Sequence, residues 1–132
     1  MRINHGRVAG EPSEARGPTF TGTVWAEPLL RDVPGVVVNT VFFPPGARTH
    51  WHRHQTGQLL LVTHGRGLAV NESGDGDIIL PGDVVWFEPG ERHWHGGAPD
   101  SYLTHIAVSL GETEWEQAVS EDDYRAAAER IA

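Results

Sequence analysis

The chain has 132 residues, 39% hydrophobic and 21% charged, a length and balance that fit one globular domain with a core of its own. It has no cysteine, which excludes disulfides and thiolate metal sites and leaves imidazole, carboxylate, amide and water as ligands for any ion. The net charge is −8, all ten basic residues are arginine, and no basic cluster or apolar run of about 18 residues occurs, which argues against nucleic-acid and membrane partners.

In chain order, residues 1–19 are rich in Gly, Pro, Glu and Arg and read as an N-terminal arm with little core. The polar start Met1–Gly6 is unlike a signal peptide, so a cytoplasmic location is expected. Residues 20–111 then alternate short apolar runs with Gly- and Pro-rich gaps. Strands are expected at Thr19–Trp25, Val36–Phe43, Gln58–Thr63, Gly67–Asn71, Ile78–Leu80, Val84–Phe87 and Tyr102–Leu110. Many short strands with turn chemistry between them predict an all-β sandwich or barrel. The tail 112–132 reads as helical, with one helix in Glu112–Val119 and a second over Asp122–Arg130 after a Ser120 cap.

Seven of the eight histidines fall in or near two windows: His50, His52, His54 and His64, then His93, His95 and His105. An extended segment places residues i and i+2 on one face, so His52 and His54 can converge on one ion, and His93 and His95 also share a face on a strand distant in sequence. Gln58 opens the next strand and can bring an amide oxygen to the same point. His105 shares its strand face with Leu103, Ala107 and Ser109. Gly46, Gly65, Gly82 and Gly90 fit corners where the backbone turns with positive φ. Trp51, Trp86 and Trp94 read as barrel packing, His64 as a surface residue, and the acids from Glu112 to Asp123 as a solvated helical face.

The spacing of these residues resembles the two motifs of the cupin superfamily, G(X)5HXH(X)3E(X)6G and G(X)5PXG(X)2H(X)3N. The first is matched by Gly46, His52, His54 and Gly65, with Gln58 in the glutamate place. The second is matched by Gly82, Gly90 and His93, with Glu88 and Gly97 in the first proline and asparagine places. The resemblance implies a single jelly-roll β-barrel with short C-terminal helices. Stretches such as Phe20–Val24, Asp83–Phe87, His93–Gly96 and Thr104-His105 are also similar to a bacterial subgroup that includes the manganese-dependent cupin hydroxynitrile lyases. Those enzymes cleave cyanohydrins to a carbonyl compound and hydrogen cyanide.

That likeness implies His52, His54, Gln58 and His93 as metal ligands and His105 as base; His95 is a second acid–base candidate because histidine titrates near working pH. It also implies a pocket including Asn39, Val41, Thr49, His50 and Ser109. His50 and Asn39 stand where the subgroup carries small residues. Three imidazoles and an amide suit a divalent ion, Mn(II) by resemblance, with Fe, Ni, Zn or Co also compatible. Gln58 in place of glutamate leaves the ion its full +2, which favours Lewis-acid work on a small-molecule substrate over oxygen activation. A metal-dependent lyase is therefore expected. A dioxygenase or isomerase, or a non-catalytic ligand-binding cupin, are the alternatives. A homodimer or homotetramer is expected from the family.

Overall fold

The computed structural model describes residues 1–6 and 12–131. Its strands are β1 (Glu14–Ala15), β2 (Phe20–Thr21), β3 (Trp25–Val33), β4 (Val36–Phe43), β5 (Arg48–Thr49), β6 (His52–His54), β7 (Gly57–Gly65), β8 (Gly67–Asn71), β9 (Gly76–Ile79), β10 (Val84–Phe87), β11 (His93–Gly97), β12 (Leu103–Leu110) and β13 (Thr113–Trp115), followed by helix α1 (Glu121–Ile131). One sheet runs β1-β3-β4-β12-β7-β10. The second runs β13-β6-β11-β5-β2, with β8 on the other side of β11 and β9 beyond it. The two sheets face each other as an all-β jelly-roll barrel, and every strand pair is antiparallel.

The period-2 pattern of the first sheet decides what lies inside. Across it run the inward rows Val41–His105–Val62 and Asn39–Ala107–Leu60. Phe43, Leu60, Leu103 and Val24 are fully buried in the core between the sheets. The alternate positions point outward, where Leu30–Val38–Val108–Leu59–Trp86 forms a row straight across five strands. Helix α1 packs instead on the outside of the second sheet, with Tyr124, Ala127 and Ala128 against Leu68, Val70 and Trp94. Ser120 caps that helix through a bond from Asp123 N to its Oγ at 3.0 Å. The buried Arg48 donates to the Val119 carbonyl at 2.9 Å and lies over the Tyr124 ring, tying helix to barrel.

Three expectations need correction. The segment Glu112–Val119 holds no helix: Thr113–Trp115 is a strand paired with β6, and edge pairing overrides a weak helical spacing. The strand Trp25–Val33 was not expected because Pro28 interrupts its pattern; Pro28 sits where the pairing with β4 shifts register, a bulge position that tolerates proline. Trp86 is 45% exposed on the outer face rather than packed inside. The corner glycines behave as expected, and Gly65 makes the point most sharply. Its φ is +78°, and a Cβ there would lie 2.0 Å from the Tyr102 carbonyl oxygen. Among the described residues no helix is long and apolar enough to cross a membrane.

Candidate metal centre and cavity

The motif residues converge because two register choices place them side by side. On the second sheet His93 stands opposite His52, and β13 sets Trp115 opposite His52 and Thr113 opposite His54. On the first sheet Ser109 stands opposite Gln58, and His105 opposite Val41. The barrel closes these inner faces on one another. His52, His54, Gln58, His93, His95 and His105 are all buried.

The hydrogen bonds fix how the rings present themselves. His52 Nδ1 donates to the His50 carbonyl at 2.9 Å, leaving Nε2 as a lone pair facing inward. Both nitrogens of His93 face oxygen: the Glu91 carbonyl lies 2.8 Å from Nδ1 and the Gln58 Oε1 lies 3.0 Å from Nε2. The Gln58 amine meanwhile donates to Ser109 Oγ at 3.1 Å. A neutral imidazole has one proton for these two acceptors. A second proton is disfavoured, since burial pushes the His93 pKa down to about 3. A cation between the facing lone pairs satisfies the arrangement. His54 adds to it, with Nδ1 bonded to Thr113 Oγ1 at 3.0 Å and a buried Nε2 that has no partner among the described residues.

The ligand-capable nitrogens of His52, His93 and His95 all lie within 4.8 Å of one another. His95 therefore joins the centre more closely than its sequence spacing suggested. The His54 ring is 4.9 Å from that of His52 and 5.6 Å from that of His93. Burial lowers the pKa of every one of these rings, His54 to about 4 and His52 and His95 well below the ordinary value, so all are neutral and ligand-competent at pH 7. A buried, uncharged, nitrogen-rich donor set of this kind suits a divalent metal ion.

Beside the centre, His105 Nε2 and His95 Nδ1 share a hydrogen bond of 3.0 Å, while His95 Nε2 and His105 Nδ1 have no partner among the described residues. Burial lowers the His105 pKa to about 4, so the pair is neutral and shares one proton across that bond. A cavity of about 270 Å³ opens onto the site. Asn39, Val41, Thr49 and Ser109 line it, together with His52, His54, Gln58, His95 and His105. His93 lies behind, stacked on Phe87. His50 is not among the lining residues; its backbone orients His52 instead, because the chain bends between β5 and β6 and breaks the alternation.

Residues 39–108 match the sequence profile of the family described as "Cupin domain". The chain belongs to the cupin family. A protein from Granulicella tundricola, named (R)-mandelonitrile lyase, is 45% identical over 124 residues, covering 88% of this chain and 95% of that protein. The crystal structure of a cupin-like protein from Thermotoga maritima is 42% identical, covers 90% of this chain and 96% of its own, and superposes with a TM-score of 0.84. The polyketide cyclase RemF from Streptomyces resistomycificus shares 20% identity over 95% of this chain and 91% of its own, with a TM-score of 0.71; that likeness is one of fold.

The sequence placed Trp115 in an expected helix and gave neither Thr113 nor Trp115 a part in the site. Trp115 stacks on the His52 ring at 4.5 Å, and Thr113 holds His54. The i, i+2 spacing of Thr113 and Trp115 just after a strand is the one trace of an edge pairing, too short by itself to stand against the helical spacing around it. Glu116, expected on a solvated face, bonds Arg53 at 3.0 Å and Arg92 at 2.8 Å. It thereby clamps the neighbours of His52, His54 and His93 together, and the Arg92 guanidinium holds its carboxyl below the usual range.

Proposed function

We propose that this cupin is a metal-dependent lyase that cleaves cyanohydrins to a carbonyl compound and hydrogen cyanide, and joins them in reverse. The observation that carries this reading is the neutral His95–His105 pair at the cavity wall, next to a donor set without any anionic ligand. The 45% identity to a protein named (R)-mandelonitrile lyase supports it. His52, His54, Gln58 and His93 would hold a divalent ion, Mn(II) by family likeness, with His95 close enough to take part. When bound, such an ion supplies Lewis acidity that makes a substrate hydroxyl easier to deprotonate.

In this reading His105, coupled to His95, receives the hydroxyl proton. The C–CN bond then breaks, its electron pair leaves on cyanide, and the oxygen becomes the carbonyl. The imidazolium returns the proton to cyanide, so the pair ends neutral. Burial favours that return, because a low imidazole pKa makes the charged ring a strong acid. Thr49 and Asn39 on the lining offer polar groups to orient the substrate, and Val41 and Ala107 an apolar wall.

The test is cleavage of mandelonitrile by Mn(II)-loaded protein under anaerobic conditions. Turnover without O2 supports the lyase and excludes a dioxygenase. No turnover with any of Mn, Fe, Ni, Zn or Co overturns the reading in favour of another reaction or a ligand-binding role. His105→Ala should lower kcat about 10²–10⁴-fold with metal content unchanged. Near-normal kcat, or loss of metal, removes His105 as the base.

We also propose a second copy of the chain as the cover of the outer face of the six-stranded sheet. Phe42, Val84 and Trp86 are exposed there, the row Leu30–Val38–Val108–Leu59–Trp86 carries no charge in a chain of net −8, and the row Thr40–Ile106–Leu61–Val84 meets a charge only at its far end, Glu27. Strand spacing and rise give such a face roughly 650 Å² per partner, near the ~800 Å² of a standard interface.

A further inference from the structure

The cavity has an electrostatic bias that the cyanohydrin reading does not require. Among the described lining residues Arg16 is the one that carries a full charge at pH 7, and none of the chain's 18 carboxylate residues is among them. The histidines beside it are neutral, and Gln58 and Asn39 add dipoles without charge.

Arg16 comes from the N-terminal arm, just after β1, and is anchored by a backbone bond from its N to the Val24 carbonyl at 2.8 Å. Among the described residues its guanidinium has one distant carboxylate partner. Among the described residues that carboxylate is Glu14, 4.0 Å away, and Glu14 is engaged at 3.1 Å by Arg31. Two guanidiniums thus share one carboxylate, and Arg16, the residue with the more distant one, is among those lining the cavity. The Arg16 side chain is 29% exposed, so its charge is only partly screened by water. A planar guanidinium with free donors recognises carboxylates through paired N–H bonds.

We propose that Arg16 selects substrates bearing a carboxylate at the end remote from the reacting carbon, so that the preferred substrate class is an aldehyde acid or its cyanohydrin rather than an uncharged one. This rests on the lyase reading for the reacting end, whereas the carboxylate preference itself is a property of the arm and the cavity wall. Glu14 sets its limit: a substrate carboxylate competes with a neighbour already committed to Arg31.

The probes are 4-formylbenzoate and its neutral isostere 4-formylbenzamide, measured by quenching of tryptophan fluorescence, since Trp115 lines the cavity. Each is titrated into the Mn(II)-loaded and the metal-free protein. The acid should bind about tenfold more tightly than the amide in both forms, the magnitude of one charge-assisted pair at a part-exposed site. Arg16→Gln should abolish the preference, and Arg16→Lys should keep part of it, with Mn(II) affinity equal to that of the unaltered protein in both variants. Equal binding of acid and amide by the unaltered protein overturns the proposal, as does a preference that survives in Arg16→Gln. A preference in the metal-free protein without any mandelonitrile turnover in the loaded one would leave Arg16 assigned and remove the lyase reading. Turnover without the preference would do the reverse.

Discussion

Acidification of the metal-free protein is the perturbation most directly priced by the structure. Five buried rings, those of His52, His54, His93, His95 and His105, have pKa values lowered by burial, and each must gain a proton in the unfolded chain before it gains one in the folded barrel. With the folded pKa below the unfolded 6.5, the unfolded state binds more protons as pH falls, so stability is intact above about pH 7 and is lost on the way down. A ring with a folded pKa of about 4, such as His105 or His54, makes the protein about 2 kcal/mol less stable at pH 5 than at pH 8. His93, at about 3, contributes a similar amount. These three total about 6 kcal/mol, comparable with the whole stability of a small domain, and His52 and His95 shift in the same direction. Urea denaturation of EDTA-treated protein at pH 8, 6 and 5, followed by tryptophan fluorescence, measures this. The midpoint should fall steeply below pH 6.5, although the net charge of −8 shrinks toward the pI of 5.4 and general repulsion is relieved. His105→Leu should lose about one proton of that pH dependence. A midpoint that is flat or rises from pH 8 to pH 5 would refute the reasoning.

Three further outcomes follow from named contacts. Thr113→Val leaves His54 Nδ1 without its 3.0 Å partner and should weaken Mn(II) binding about 10–100-fold in equilibrium dialysis, whereas Thr113→Ser should restore it. Gln58→Glu adds a negative ligand and should tighten Mn(II) binding while lowering mandelonitrile turnover; turnover at or above that of the unaltered protein would count against the Lewis-acid argument. Val108→Glu puts a charge in the middle of the apolar outer row and should convert a dimer to a monomer in light scattering after size exclusion, with the far-ultraviolet spectrum unchanged.

The sequence made the barrel legible because its corners and inner rows are written locally. Gly46, Gly65, Gly82 and Gly90 all adopt positive φ, and the alternation of Leu103, His105, Ala107 and Ser109 names the inward face of β12 directly. What stayed hidden depended on contacts between distant segments. Pro28 disguised β3, because a bulge is visible only once the partner strand is known. The Thr113–Trp115 strand had no pattern strong enough to outweigh the acidic, helix-like residues around it. Its structure is imposed by the free edge of β6. His50 followed the same rule from the other side. The i, i+2 alternation that correctly pairs His52 with His54 does not extend back across the bend after Thr49.

That bend and the β13 strand together explain why the centre can be both buried and precise. A histidine in a barrel interior has two nitrogens to satisfy, and one left facing an apolar wall costs about 1–3 kcal/mol. Here the outer nitrogen of each motif ring meets a group supplied by the fold: the His50 carbonyl for His52, Thr113 for His54 and the Glu91 carbonyl for His93. Two of these three are backbone carbonyls two residues before the ring they hold. The orientation therefore comes with the local chain path, whatever the side chains at 50 and 91. His54 lacks such a carbonyl and depends on a side chain from β13, which makes it the ring most open to adjustment by substitution. His95 and His105 break the pattern. Their partners are each other, and their remaining nitrogens, like His54 Nε2, have no partner among the described residues. The fold thus gives its fixed acceptors to His52, His54 and His93, and leaves His95 and His105, which also line the cavity, bonded to each other with one nitrogen apiece unpartnered among the described residues.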